Sequence, residues 1–209
     1  MSHSSEPTPP IFAEVFADQW ETLPPVMRSH YAIRPDSHDR VTVEGRLDIR
    51  IHPLMKPLAP VMAALGLLTP WAGEDVPCTV QFLSQPGGRA FIFDRRFRFP
   101  GRKSYQFRSE LVAKGAHDVT EYMRCGVGWR CGYALENDRV VLSHKGYVWR
   151  LFGLDIPLPG ASFIVGRGEA WEATAGDDSF AMFMGLRHPL FGWLYSYGGT
   201  FAVTEMALD

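Results

Sequence analysis

The feature that most constrains this chain is a two-residue alternation of apolar and polar side chains, interrupted at short intervals by turn residues. From Val41 to His52, Val41, Val43, Gly45, Leu47, Ile49 and Ile51 fall on one face and Thr42, Glu44, Arg46, Asp48 and Arg50 on the other. That is the signature of a half-buried antiparallel strand. From Pro77 onward the same reading predicts strands near 77–85, 89–99, 104–113, 118–125, 127–136, 138–151, 162–174, 178–186 and 190–205. Pro86-Gly87-Gly88, Pro100-Gly101, Lys114-Gly115, Asn137-Asp138 and Gly176-Asp177 supply tight-turn chemistry between several of them. Ten strands in a meander predict a mainly β fold, an antiparallel barrel or half-barrel of the calycin-like kind. A half-barrel wrapped on a helix and a β-sandwich are the alternatives.

Two stretches break the period. Ile11, Phe12, Val15, Phe16 and Trp20 recur at helical spacing between Pro10 and Pro24, and Leu54, Leu58, Val61, Met62 and Leu65 suggest helical turns limited by Pro57, Pro60 and Gly66. Short helices near the N-terminus are expected. A strand, a helical insert and nine further strands is also the order of small intracellular lipid-binding barrels, a likeness of fold alone. The Pro-rich segment 1–10 reads as a flexible tail and 11–209 as a single barrel-like domain.

Composition excludes several classes. Lys and Arg number 21 against 23 Asp and Glu, a net charge of −2, which gives no field for a phosphate backbone; nucleic acid is not an expected partner. No basic segment followed by an apolar run opens the chain, and no apolar stretch reaches the length of a transmembrane helix, so the expected location is cytoplasmic. Cys78, Cys125 and Cys131 have neither disulfide nor zinc spacing and read as reduced thiols, with no metal site. Gly126-Val127-Gly128-Trp129-Arg130-Cys131-Gly132 misplaces the glycines of a dinucleotide fingerprint and lacks its helix, and there is no G-x-S-x-G or H-E-x-x-H. No cofactor is implied.

The informative residues are charges on apolar faces, because a buried charge must be paired or must line a cavity. Arg95 stands in the row Phe91, Phe93, Phe97 and Phe99. Ser109 shares a face with Tyr105, Phe107 and Leu111, and Glu121 with Val119, Met123 and Cys125. His144 shares one with Val140, Leu142 and Val148, while Arg167 and Glu169 fall with Phe163, Val165 and Trp171. These six are the candidate ligand-contacting residues: apolar walls would hold a ligand body while Arg95 or Arg167 meets an acidic head. In the competing reading Arg95 pairs structurally with Glu121 or Glu169, and Arg167 and Glu169 point outward with Gly166, Gly168 and Ala170 packed inward. His30 and His188 are candidate acid or base residues. The last strand places Phe191, Trp193, Tyr195, Tyr197, Phe201 and Val203 on one side, as core or as a ligand-contacting wall.

Several segments together resemble one family. Leu23-Pro24-Pro25-Val26-Met27-Arg28-Ser29-His30, Val43-Glu44-Gly45-Arg46, Asp94-Arg95-Arg96-Phe97 with Phe107-Arg108-Ser109, and His188-Pro189-Leu190-Phe191-Gly192 with Tyr197-Gly198-Gly199 resemble the bacterial domain of unknown function 4166. The resemblance covers nearly the whole chain and adds weight to His30, Arg95, Ser109, Glu169 and His188 without giving any of them a role. Members of that family are sometimes joined to an NAD(P)-binding reductase-like domain, so the resemblance implies a possible reductase-like protein partner. Three functions follow as expectations: a binding protein for a small apolar or amphipathic, acidic-headed molecule; a metal-independent enzyme using His30 or His188 with Glu169 or Glu121 on a carbonyl or lipid-like substrate; or a module docking a reductase-like partner.

Overall fold

The strand expected at 41–52 runs as β1 (Arg40–Ile51), with Val41, Val43, Leu47 and Ile49 buried and Glu44, Arg46, Asp48 and Arg50 exposed. Gly45 interrupts its inner row because its register partner, Phe201, lies across it. A Cβ at Gly45 would sit 2.2 Å from the Thr200 carbonyl oxygen and 2.6 Å from the Phe201 ring. The computed structural model describes residues 8–209, so most of the tail expected over 1–10 lies outside the described residues.

Beyond β1 come β2 (Gly73–Leu83), β3 (Phe91–Phe97), β4 (Tyr105–Gly115), β5 (Asp118–Met123), β6 (Val127–Glu136) and β7 (Arg139–Leu151). A short β8 (Leu154–Pro157) follows, then β9 (Arg167–Thr174), β10 (Ser179–His188) and β11 (Gly192–Ala207). Each strand pairs antiparallel with the next, except that β8 is a hairpin arm on β7 and β9 pairs with β7. β11 pairs back with β1, and β6 with β7. The result is a closed ten-stranded antiparallel barrel with one extra strand, which decides between the barrel, half-barrel and sandwich readings. Every strand of the ring is thus paired on both sides over at least part of its length.

One end of the barrel is plugged by the N-terminal segment, which forms α1 (Ile11–Phe16), a 3-10 turn (Ala17–Thr22) and α2 (Pro25–His30). Helices of six residues do not persist alone; packing holds these. Ile11, Phe12, Val15 and Phe16 of α1 are all buried, and the Phe12 ring lies 4.5 Å from Tyr31, 4.9 Å from Phe91 and 5.3 Å from Tyr133. Burial of such side chains stabilises by about 1.5–3 kcal/mol each. The helical insert, a 3-10 turn (Pro53–Leu58) and α3 (Ala59–Leu65), lies at the opposite end, where the Tyr105 hydroxyl donates to the Leu67 carbonyl at 2.7 Å.

Alternation fails at three places, each with a local cause. The strand expected over 162–174 begins as α4 (Ala161–Val165), on which Phe163 is exposed. The helix ends at Gly166, with φ 91°, and the chain continues as β9 with the faces of the competing reading: Gly166, Gly168 and Ala170 inward, Arg167 and Glu169 outward. Trp129 enforces this: a Cβ at Gly168 would lie 2.6 Å from its indole. In β7 a bulge lies where the register passes from Cys131↔His144 to Arg130↔Gly146, so Tyr147 faces the core and Val148, expected beside His144, packs against Gly128 on the outside. In β11 the register shifts where it passes Arg187, turning Trp193 outward over Gly185; Phe191 and Trp193 leave the face that Tyr195, Tyr197 and Phe201 share.

Candidate functional site

Arg95, Ser109 and Glu121 come from three consecutive strands, and the pairing register sets them side by side: Arg95 opposes Phe107 across β3 and β4, and Leu111 opposes Glu121 across β4 and β5. Arg95 Nη2 donates to Ser109 Oγ at 2.7 Å and to Glu121 Oε1 at 2.5 Å, and Ser109 Oγ donates to the same carboxylate oxygen at 2.6 Å. The guanidinium lies 3.6 Å from the centre of the Phe93 ring and 4.1 Å from that of Phe107. These contacts explain how a charge that is 3% exposed survives in an aromatic row. Burial disfavours the charge, but Glu121 outweighs it and holds Arg95 more firmly protonated. Its Nε is buried with no partner.

A second polar cluster stands on the opposite wall. Glu172, on the inward face of β9, accepts a 2.6 Å hydrogen bond from the Tyr31 hydroxyl and lies 3.6 Å from Nε2 of His30. The His30 ring stacks against Tyr31, Phe82 and Phe180, with centroids 4.0, 4.6 and 4.7 Å away, and its Nδ1 has no partner. Desolvation holds the imidazole neutral, pushing its pKa down to about 3. Burial pushes Glu172 up to about 7 against the opposing pull of the Tyr31 hydrogen bond. At neutral pH this cluster is therefore a neutral histidine beside a carboxyl balanced between its two protonation states.

The two clusters face a common cavity walled by apolar side chains, among them Val43, Val80, Phe82, Phe93, Met182 and Phe201, with Arg95 and Glu172 as its charged members. Its volume is about 20 Å³, room for a single water molecule. A second space reaches Ser109 from outside. β5 ends its pairing with β4 at Met123↔Ser109, while β4 continues to Tyr105. This leaves a notch in the barrel wall, which opens into a crevice of about 870 Å³ lined by Gln106, Arg108, Ser109, Met123, Arg124 and Arg150.

The remaining candidates lie elsewhere. His144, Arg167 and Glu169 border a groove on the outer surface, with Trp171 and Trp193. His144 Nδ1 accepts from the Trp129 indole at 2.9 Å and from the Gly168 N–H at 3.3 Å, so the ring proton belongs on Nε2, 2.7 Å from Ser162 Oγ. Burial and the nearby Arg167 both lower its pKa. It ties β6, β7 and β9 together where β9 starts. His188 is buried at the end of β10, accepts from the Leu190 N–H at 3.0 Å and packs against Phe163 and Phe191; among the described residues no carboxylate bonds to it. His30 is thus brought to a carboxylate, but to Glu172 and not to Glu121 or Glu169. Sequence reasoning missed Glu172 and Tyr31. The available signal was the parity of β9, because taking Gly168 and Ala170 as inward puts Glu172 inward as well.

No group of three His, Cys, Asp or Glu side chains able to hold a metal occurs among the described residues. The three cysteines are unbridged, and burial pushes the Cys78 thiol up to about 12. No helix among the described residues is long and apolar enough to cross a membrane. Compared with known families, residues 23–201 match the one described as a domain of unknown function, DUF4166. No curated protein and no solved structure matches the chain.

Proposed function

The chain belongs to the DUF4166 family, and we propose that it is a binding barrel that takes the polar head of a small, mainly apolar molecule between Arg95 and Glu172. One observation carries this reading: an otherwise apolar internal cavity has Arg95 on its wall with a buried, unpartnered Nε, and Glu172 on its wall with a carboxyl that titrates near neutrality. A convergent pair of polar groups in an apolar cavity is the usual form of a small-molecule site. The chemistry selects a carboxyl or carbonyl head. Such an oxygen accepts from Arg95 Nε and, when Glu172 is protonated, from its carboxyl. The body of the ligand exceeds the resting cavity, so binding displaces Phe93 and Met182, the half-buried apolar members of its lining. The notch beside Ser109 gives access, and Arg108, Arg124 and Arg150 around it favour an acidic head.

Native mass spectrometry of the protein as purified, and after incubation with decanoic acid or methyl decanoate, tests the reading. A one-to-one adduct is expected, lost in Met182→Trp, which fills the cavity. An adduct that persists unchanged in Met182→Trp, or no adduct with either probe, would refute it.

The titration of Glu172 favours one further reading, an acid–base site in the same cavity with Glu172 as the proton carrier. Turnover of a carbonyl probe that follows an ionisation near pH 7 and is lost in Glu172→Gln would establish it; a bound but unreacted carbonyl probe argues for binding alone.

A further inference from the structure

Every large hydrophobic side chain that is exposed among the described residues, except Met206 and Leu208, lies at the end of the barrel that carries the helical insert. The insert itself presents a stripe to solvent: Leu54, Leu58, Val61 and Leu65 recur at helical spacing and are all exposed, and Met62 is its only fully buried residue. Beside it, the tip of the hairpin between β7 and β8 holds out Phe152, 96% exposed, and α4 holds out Ile164, 74% exposed. These are projecting tips of separate connections, not the walls of a groove. Trp149 and Trp193 stand just behind them at the ends of β7 and β11, also exposed.

Charge is distributed the same way. The connections at this end, 52–72, 98–104, 124–126, 152–166 and 189–191, contain Lys56, Arg98, Arg102, Lys103 and Arg124, all exposed, against Asp155; the first residues of β2 add the exposed Glu74 and Asp75, the latter paired with Arg46 at 2.6 Å. Asp155 is already neutralised by Lys114 at 3.1 Å and Arg150 at 3.2 Å. At the opposite end, the connections 84–90, 116–117, 137–138 and 175–178 and the terminal 208–209 contain Arg89 against Asp138, Asp177, Asp178 and Asp209. A chain of net charge −2 thus concentrates cations where it also exposes its hydrophobic side chains.

We infer that this end of the barrel docks on an anionic lipid surface. Projecting Phe, Ile and Leu enter the boundary between headgroups and acyl chains, tryptophans just behind them sit at headgroup level, and the surrounding lysines and arginines meet the negative leaflet. The inference is independent of what the barrel holds. A protein partner of matching shape would present a recess for each tip; a bilayer needs none, and the cation ring supplies the complementarity a lipid surface offers.

Co-sedimentation of the full chain with vesicles tests it. Binding is expected to vesicles of equal parts phosphatidylcholine and phosphatidylglycerol, and to be much weaker with phosphatidylcholine alone. The pair Lys56→Gln and Lys103→Gln should weaken the anionic binding roughly thirtyfold, the order expected for the loss of two interfacial cations. The pair Phe152→Ser and Ile164→Ser, on exposed tips, should weaken it at least about tenfold with an unchanged circular dichroism spectrum. Met206→Ser, at the other end, should leave binding as it is. Absence of binding to the anionic vesicles, or binding indifferent to both pairs, overturns the inference. So does a dimer in sedimentation velocity that Phe152→Ser abolishes while vesicles are ignored, which would assign the face to a second copy of the chain.

Discussion

Nε2 of His30 and a carboxylate oxygen of Glu172 stand 3.6 Å apart inside the barrel, and their environments drive their protonation in opposite senses. The histidine is desolvated by three aromatic rings and stays neutral down to about pH 3. The carboxyl is desolvated too, and keeps its proton up to about pH 7.

This opposition has a consequence for stability. Glu172 binds more protons folded than unfolded between about pH 4.5 and 7, so its contribution falls as pH rises through that window, by about 3 kcal/mol in all. His30 binds fewer protons folded than unfolded between about 3 and 6.5, so its contribution rises with pH there. The two slopes cancel from about 4.5 to 6.5. Urea unfolding should show stability climbing with pH over that range in Glu172→Gln and falling in His30→Phe. Identical slopes in both variants and the parent would show that the pair does not titrate this way.

Arg95 and Glu121 neutralise one another, which predicts that removing one strands the other. Arg95→Met should destabilise by about 3–5 kcal/mol, and adding Glu121→Leu should recover most of the loss. A neutral or stabilising Arg95→Met would mean that Glu121 does not depend on this guanidinium.

Gly168 is predicted to tolerate no side chain, because the Trp129 indole occupies the Cβ position. Gly168→Ala should cost about 1–3 kcal/mol and disturb the indole bond to His144. Denaturant midpoints and the Trp129 indole proton resonance report the two effects, and an unperturbed variant would contradict the packing described.

Much of this was readable before the fold was known. Strict alternation located β1 and placed Arg95, Ser109 and Glu121 on one inner surface, since strand period and hairpin register are local properties. What failed were positions where the regular strand is interrupted. The segment Ala161–Val165, rich in apolar and β-branched residues, reads as strand but forms a helical turn because Gly160 and Gly166 both take positive φ. Taking the odd-numbered face of this segment, with Phe163, Val165 and Trp171, as the inner one points to Glu169; the small Gly168 and Ala170 face in instead, and Glu172 with them. The junction of His30 with Glu172 was beyond local reasoning, because it depends on α2 plugging the barrel from a distance of more than a hundred residues in sequence.

In the proposed binding mode a ligand enters the cavity between Arg95 and Glu172. Methyl NMR during titration with decanoic acid tests it most directly, because Met182 and Val80 line that cavity and Met206 lies far outside it. Saturable shifts of the Met182 and Val80 methyl resonances, with Met206 unmoved, are the predicted result. Shifts confined to exposed methyl groups, with those of Met182 and Val80 unchanged through decanoic acid and methyl decanoate alike, would contradict this mode.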